Sequence, residues 1–364
     1  MVLDDYTLNR RKFLKTGMMS AGALAAAPVL KPFEDIFTSK EHIVSIVRIQ
    51  FDRVDKAVEE AIDLLDGISR LTKHKQKIML KPNLVFDSSD CTTKPAVIRT
   101  LAMLMKKAGK EVLIGEGSAA ASGINADEQN VYRTQKADLL DRLQKQIFNK
   151  LGYTDIADEL GIPLVNLHTG EMVTVDVPGA HHFKKLTLHK SLSEIDMLCS
   201  VPMMKTHVLA TVTLGLKNVI GLYPGTAYCS VRSCVHAEAE EGGSKGVAFE
   251  IIDMARANKM GLTVIDGSMA MEGDGPSGGK LVKTDLIIAG TSPLAADMVA
   301  SAIMGFEPNE IPHFNLAHES GMHPMSLDEI EIRGLQINDV RRPFERPHII
   351  PFGQIKDFWG VKEV

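Results

Sequence analysis

The chain has 364 residues, 45% of them hydrophobic and 24% charged, with a formal net charge of −5. A chain of this length and composition buries a sizeable core, as one large α/β domain or as two fused lobes. A pI near 6.2 and an aromatic content of 5% argue against the basic, stacking surface of a nucleic-acid binder.

The first element is a targeting segment. In NRRKFLKTGMMSAGALAAAP, Arg10 and Arg11 precede Phe13, Leu14 and Lys15, and a short apolar stretch runs from Met18 to Ala27. The pattern resembles a bacterial twin-arginine signal. It implies the twin-arginine export machinery as a partner and a periplasmic or extracellular destination. Small residues at Ala23 and Ala25, or at Ala25 and Ala27, suit cleavage within a signal at residues 1–27, and Pro28 disfavours a cut directly before it, so Ala26 is the better start. The stretch is short and alanine-rich for a membrane span, so no membrane contact is expected beyond an uncleaved signal acting as an anchor.

HIVSIVRI, from His42, is a β-branched run expected as a buried strand. Asp55 to Leu71 has helical periodicity, with Val58, Ile62 and Leu65 on one face. KIMLKPNLV reads as a strand ended by Pro82, Lys94 to Gly109 as a helix, and EVLIGEGSAA as a strand entering a glycine-rich turn. The polar stretch that follows has helical spacing and reads as an insertion over residues 124–148. Tyr153 to Leu160 is a short helix, PLVNL a strand, and EMVTVDV a partner for Lys184 to Leu188 in a small β-ribbon.

Asp196 to Val201 is a buried strand, and KTHVLATVTLGLKN after it reads as a packed helix with Lys217 to Leu222 helical up to Pro224. Phe249 to Asn258 is a helix, LTVID and DLIIAG are strands, Pro293 to Met304 is a helix, and DEIEIRG is a late strand. A proline-bearing tail, residues 341–364, wraps the surface. The alternation predicts an α/β fold over residues 40–340: a mainly parallel sheet covered by helices, with a small β-ribbon and a helical insertion.

Polar residues collect where strands end. Lys81 and Asn83 follow KIML, Glu116 and Ser118 follow EVLIG, Lys205 and His207 follow DMLCSVPMM, and Asp266, Glu272 and Asp274 follow LTVI. Ligands of open α/β sheets gather beyond the carboxyl ends of the strands, so these groups are expected to converge. Asp297 lies in an otherwise apolar helix, SPLAADMVASAIMGF, where it pairs with a lysine or sets a lysine's charge state. GEGSAAASG lacks the Gly-Lys-Ser/Thr of a P-loop and reads as a tight turn. GDGPSGG reads as a lid or a plain surface loop, and His181 and His182 as solvated.

The four cysteines, Cys91, Cys199, Cys229 and Cys234, contain no C-x2-C pair, so no iron–sulfur cluster is expected. Cys229 and Cys234 are near enough in sequence to bridge in an oxidising compartment, but the favoured reading is two free thiols in a loop.

LKPNLV, KTHVLATVTLGLKNVIG, His236 followed by Phe249, Ile252 and Asp253, VIDGSMAMEGDGPSGG and SPLAADMVASAIMGF together resemble the domain of unknown function 362 family. Some members carry a ferredoxin-like cluster domain, whose cysteines this chain lacks. The resemblance implies positions rather than a reaction. Together with the strand-end placement it marks Lys205, His207, Lys217 and His236 as candidate catalytic groups. Lys81, Asn83, Glu116, Asn218 and Asp297 are candidate ligand-binding groups, and Asp266 and Glu272 carry carboxylates suited to a hard divalent cation.

The favoured function is an exported enzyme acting on an anionic small molecule or on a phosphate- or carboxylate-bearing cofactor. Lys81, Lys205 and Lys217 would hold the anion, with His207 or His236 as general acid or base. The alternative is a non-catalytic exported protein that binds a small anion or a metal-bearing cofactor with the same lysines.

Overall fold

A computed structural model describes residues 42–119, 134–229, 235–236 and 246–350. The signal expected at 1–27, the first part of the 124–148 insertion, Cys234 and the end of the tail lie outside the described residues. Apolar, β-branched runs form the main strands: β1 His42–Arg48, β2 Lys77–Pro82, β3 Glu111–Glu116 and β4 Leu164–Asn166. Met172–Asp176 (β5) and Lys185–His189 (β6) form the separate antiparallel ribbon expected from EMVTVDV. Then come β7 Met197–Val201, β8 Met203–His207, β9 Thr211–Thr213, β10 Met260–Glu272, β11 Lys280–Val282, β12 Leu286–Gly290 and β13 Ile330–Gly334.

The large sheet has 11 strands in the order β13-β1-β12-β10-β7-β2-β3-β4, with β11 and β8 added on β10 and β9 on β8. It is mixed but mostly parallel. β12 runs antiparallel between β1 and β10, while β10, β7, β2, β3 and β4 run parallel. The main helices are α1 Val54–Asp63, α2 Pro95–Lys107, α3 Ala137–Lys150, α4 Tyr153–Leu160, α5 Ala248–Arg256, α6 Pro293–Ile303 and α7 Pro312–Glu319.

The period-2 alternation of the strands feeds two cores. On β2, Ile78 and Leu80 join one core with α1, α2 and α4, whereas Met79 joins the other with α5, α6 and α7. Both faces are therefore covered. Leu143, Ile147 and Phe148 of α3 lie in the first core, so the described part of the expected insertion is built into the domain.

Two local readings change. The helix expected from Asp55 to Leu71 stops at Asp63, because Asp66 (φ 69°) and Gly67 (φ 84°) take left-handed backbone before a separate turn at Ile68–Leu71. The larger change is in KTHVLATVTLGLKN, which does not fold as one packed helix. Its Thr and Val residues favour extended backbone, and β8 and β9 form a hairpin on β10. Only Lys217–Leu222 is helical, as a 3₁₀ turn. The described part of the tail wraps the surface, with Phe344 N donating to Met304 O (2.9 Å) and Ile350 N to Val208 O (2.9 Å). No described helix is long and apolar enough to cross a membrane.

Candidate functional site

Parallel β2, β3 and β7 end side by side, and their carboxyl ends present Lys81, Glu116 and Ser200 to one place. Lys81 and Glu116 are 1% and 2% exposed, so each charge needs a partner inside the protein. Lys81 Nζ donates to both carboxylate oxygens of Glu116 (2.9 Å each), to Pro82 O (2.8 Å) and to Asn218 Oδ1 (3.0 Å). Glu116 also accepts from Leu84 N (3.0 Å) and Gly117 N (2.8 Å). Asn218 Nδ2 donates to Lys81 O and Ser200 Oγ, at 3.1 Å each.

This network shows how three of the expected site residues are held. Lys81 Nζ thus has four protein oxygens within hydrogen-bond distance. Glu116 and Asn218 are likewise engaged with it. Gly221 lies over the pair so closely that a Cβ there would collide with the Glu116 carboxylate and the Lys81 ammonium.

A cavity of about 60 Å³ is lined by Lys205, His207, Thr213, Lys217 and Asn83, together with Lys81, Glu116 and Asn218 of this network. The β8–β9 hairpin supplies the first three and the 3₁₀ turn supplies Lys217. Lys205 is fully buried; its Nζ donates to Cys91 O (2.6 Å) and Pro276 O (3.1 Å). Burial pushes its pKa down to about 7, with the Lys217 charge acting in the same direction and the neighbouring Cys91 opposing it. Pro276 belongs to GDGPSGG, so that loop forms a wall of the cavity. Two buried oxygens of the lining, Thr213 Oγ1 and Asn83 Oδ1, have no hydrogen-bond partner among the described residues.

His207 lines the cavity, and two further histidines, His236 and His313, lie behind it. Burial, then the charges of Lys217 and Lys205, hold the His207 pKa well below the usual imidazole range, so its ring stays neutral at pH 7. His207 Nδ1 accepts from Leu209 N (3.0 Å), which assigns the ring proton to Nε2. His236 pairs through Nδ1 with buried Glu250 (2.8 Å to Oε1). Both His236 and His313 act electrostatically on His207. His313 is 1% exposed, and burial with the Lys217 charge lowers its pKa to about 3. Glu250 and His313 escaped the sequence reading. The signal was present, since each is a titratable residue set in an apolar helical run, as Asp297 is.

The remaining expected site residues sit elsewhere in the hydrogen-bonding scheme. Among the described residues Asp297 forms no ion pair with a lysine; its two oxygens accept Gly215 N and Leu216 N at 2.7 Å each, and so position the chain just before Lys217. Burial raises its pKa to about 7 against those two bonds. Asp266 accepts from Lys94 N (2.7 Å) and from Ser268 N and Oγ (3.0 and 2.6 Å), tying β10 to the start of α2. Glu272 accepts Glu345 N of the tail at 3.2 Å. Neither belongs to a group of three potential metal ligands among the described residues; the group that does is His42, His323 and Glu329.

Asp253 accepts the backbone N–H groups of His181, His182 and Phe183 (2.7–2.8 Å), so it organises that loop. Cys229 is disulfide-bonded, against the free-thiol reading, whereas Cys91 and Cys199 are free.

The fold and site define a doubly covered α/β protein with a lysine- and histidine-lined cavity at the carboxyl ends of parallel strands. The chain belongs to the family described as domain of unknown function (DUF362), whose model matches residues 78–302. A thylakoid-associated protein of Synechocystis sp. is 26% identical over 270 residues, 73% of this chain and 75% of that protein. Among solved structures, the lactate racemase apoprotein from Thermoanaerobacterium thermosaccharolyticum is similar with a TM-score of 0.42 and 16% identity, over 74% of this chain and 58% of that one. A protein from Thermotoga maritima gives a TM-score of 0.37 and 15% identity, over 73% and 59%. The chain thus spans less than two thirds of either solved structure.

Proposed function

We propose that the chain is an exported enzyme that binds a small anion in the cavity and transfers a proton through Lys205. The observation that carries this reading is a fully buried lysine, with a pKa near 7, in the wall of a cavity. A lysine held there exchanges its proton at working pH, which an exposed lysine does not. Lys217 gives the cavity positive charge. His207 Nε2–H and the Thr213 hydroxyl are neutral donors for an anion, and Asn83 Oδ1 accepts from a ligand hydroxyl. A water needs roughly 10–15 Å³ of such space, so the cavity suits a ligand of a few heavy atoms, such as a small carboxylate.

A bound anion favours the charged form of Lys205, so binding takes up a proton near pH 8. Calorimetry with acetate, glycolate and sulfate, in buffers of different ionisation enthalpy, measures that uptake. Binding with proton uptake that disappears in Lys205→Met supports the reading. Binding without uptake points to a non-catalytic anion-binding protein. Equal affinity in wild type, Lys205→Met and Lys217→Met removes the cavity from consideration. The exported location is proposed on the Arg10–Arg11 pattern, and the Cys229 disulfide is one that an oxidising compartment permits.

A further inference from the structure

A second cluster lies at the other edge of the sheet, on elements that share no residue with the cavity. We propose that His42, His323 and Glu329 bind a divalent transition-metal ion of the Zn²⁺ type. His42 opens β1 and is the register partner of Ile330 in β13. The parallel pairing therefore places Glu329, one residue earlier, beside it. His323, in the loop after α7, closes the group. One nitrogen from each imidazole and one oxygen of Glu329 all lie within 4.8 Å of one another.

The protein leaves these groups poorly satisfied. His42 is 3% exposed, yet its buried Nδ1 has no hydrogen-bond partner among the described residues. An orphaned polar atom of that kind is costly without a ligand. His323 Nδ1 lies 3.4 Å from Glu329 Oε2, long for a charge-assisted hydrogen bond. The nearby His318 is already committed to Pro324 O (3.0 Å) and is not counted as a ligand. Met325 N donates to Glu329 Oε2 (3.0 Å), which orients the carboxylate.

Metal–nitrogen bonds of 2.0–2.1 Å put tetrahedral ligands about 3.3 Å apart. His323 Nδ1 and Glu329 Oε2, 3.4 Å apart, are already near that spacing, and their side chains, 44% and 43% exposed, have room to adjust. Two imidazoles and one carboxylate suit zinc, cobalt or nickel better than calcium or magnesium, which take oxygen ligands. Solvent completes the coordination. The ion would join the first strand of the domain to its last.

The test uses the full, untagged chain, stripped with chelator and titrated with Co²⁺ and then Zn²⁺. One Co²⁺ per chain with visible d–d bands, displaced by Zn²⁺, is the expected result. Glu329→Gln and His323→Asn, both at half-exposed positions, should each weaken binding on the order of 100-fold. Their circular dichroism should match wild type, and Lys205→Met should bind the metal normally. Absence of a bound ion, wild-type affinity in both ligand variants, or preference for Ca²⁺ or Mg²⁺ overturns the proposal. The outcome is independent of whether the cavity binds anions.

Discussion

Replacing Lys205 by Met should change how stability depends on pH. In the folded chain the Lys205 pKa falls from 10.5 to about 7, chiefly through burial. Between those values the unfolded chain carries a proton that the folded chain lacks, so the stability of the wild type rises with pH. The contribution is fully present above the unfolded pKa and is lost as pH falls through about 7. Each pH unit is worth about 1.4 kcal/mol.

Met keeps the apolar stem but does not titrate, and it leaves the Cys91 and Pro276 carbonyls without this donor. Those lost bonds set a constant offset, whereas the proton sets the slope. The difference in unfolding free energy, wild type minus Lys205→Met, should therefore grow by about 2–3 kcal/mol from pH 7.5 to 9.5. Urea melts at fixed ionic strength, without reductant so that the Cys229 disulfide persists, measure it. Parallel pH curves would show that Lys205 keeps its ordinary pKa when folded, and the proton-transfer reading would fall with that result.

Lys81→Met should destabilise by about 3–5 kcal/mol, because it strands the buried Glu116 carboxylate. Adding Glu116→Gln should recover part of the loss, and a loss under 1 kcal/mol in denaturant melts would refute the scaffold role. Asp297, with its pKa raised to about 7, should make the wild type lose stability relative to Asp297→Asn as pH rises from about 4 to 7. A pH-independent difference in melts would contradict this. Arg10→Lys with Arg11→Lys should leave a folded protein in the cytoplasm, and unchanged extracytoplasmic levels on fractionation would count against the export signal.

Much of the fold was legible because strand and helix periods differ. HIVSIVRI, KIMLKP and DLIIAG are short β-branched or apolar runs, and each became a strand. The EMVTVDV ribbon was legible from its alternation. KTHVLATVTLGLKN was not, because what decides it is tertiary. A Thr- and Val-rich segment with small residues between is compatible with either period until β10 offers an edge.

The site was legible as a place more than as a set of roles. Strand-end lysines mark the crevice, but sequence cannot show which of them meets a carboxylate. Lys81 and Glu116 are 35 positions apart and meet only because β2 and β3 pair in parallel. Asp297 drew notice as a charge in an apolar helix, yet its partners are two backbone N–H groups with no residue signature.

The two buried lysines show how one fold handles the same charge in two ways. Lys81 is held by Glu116 and two further acceptors, so its position is rigid. Lys205 meets two carbonyl oxygens in the same interior, and Lys217 acts against its charge. Carbonyl dipoles do not offset burial as a carboxylate does, so the proton on Lys205 is only loosely held. Asn218 bonds both the Lys81 ammonium and its carbonyl, and it follows Lys217 directly in the chain. The rigid pair therefore fixes the backbone from which Lys217 reaches the cavity. The ion pair thus sets the geometry of the cavity wall, and the proposed proton transfer falls to Lys205, a lysine of that wall without a carboxylate partner among the described residues.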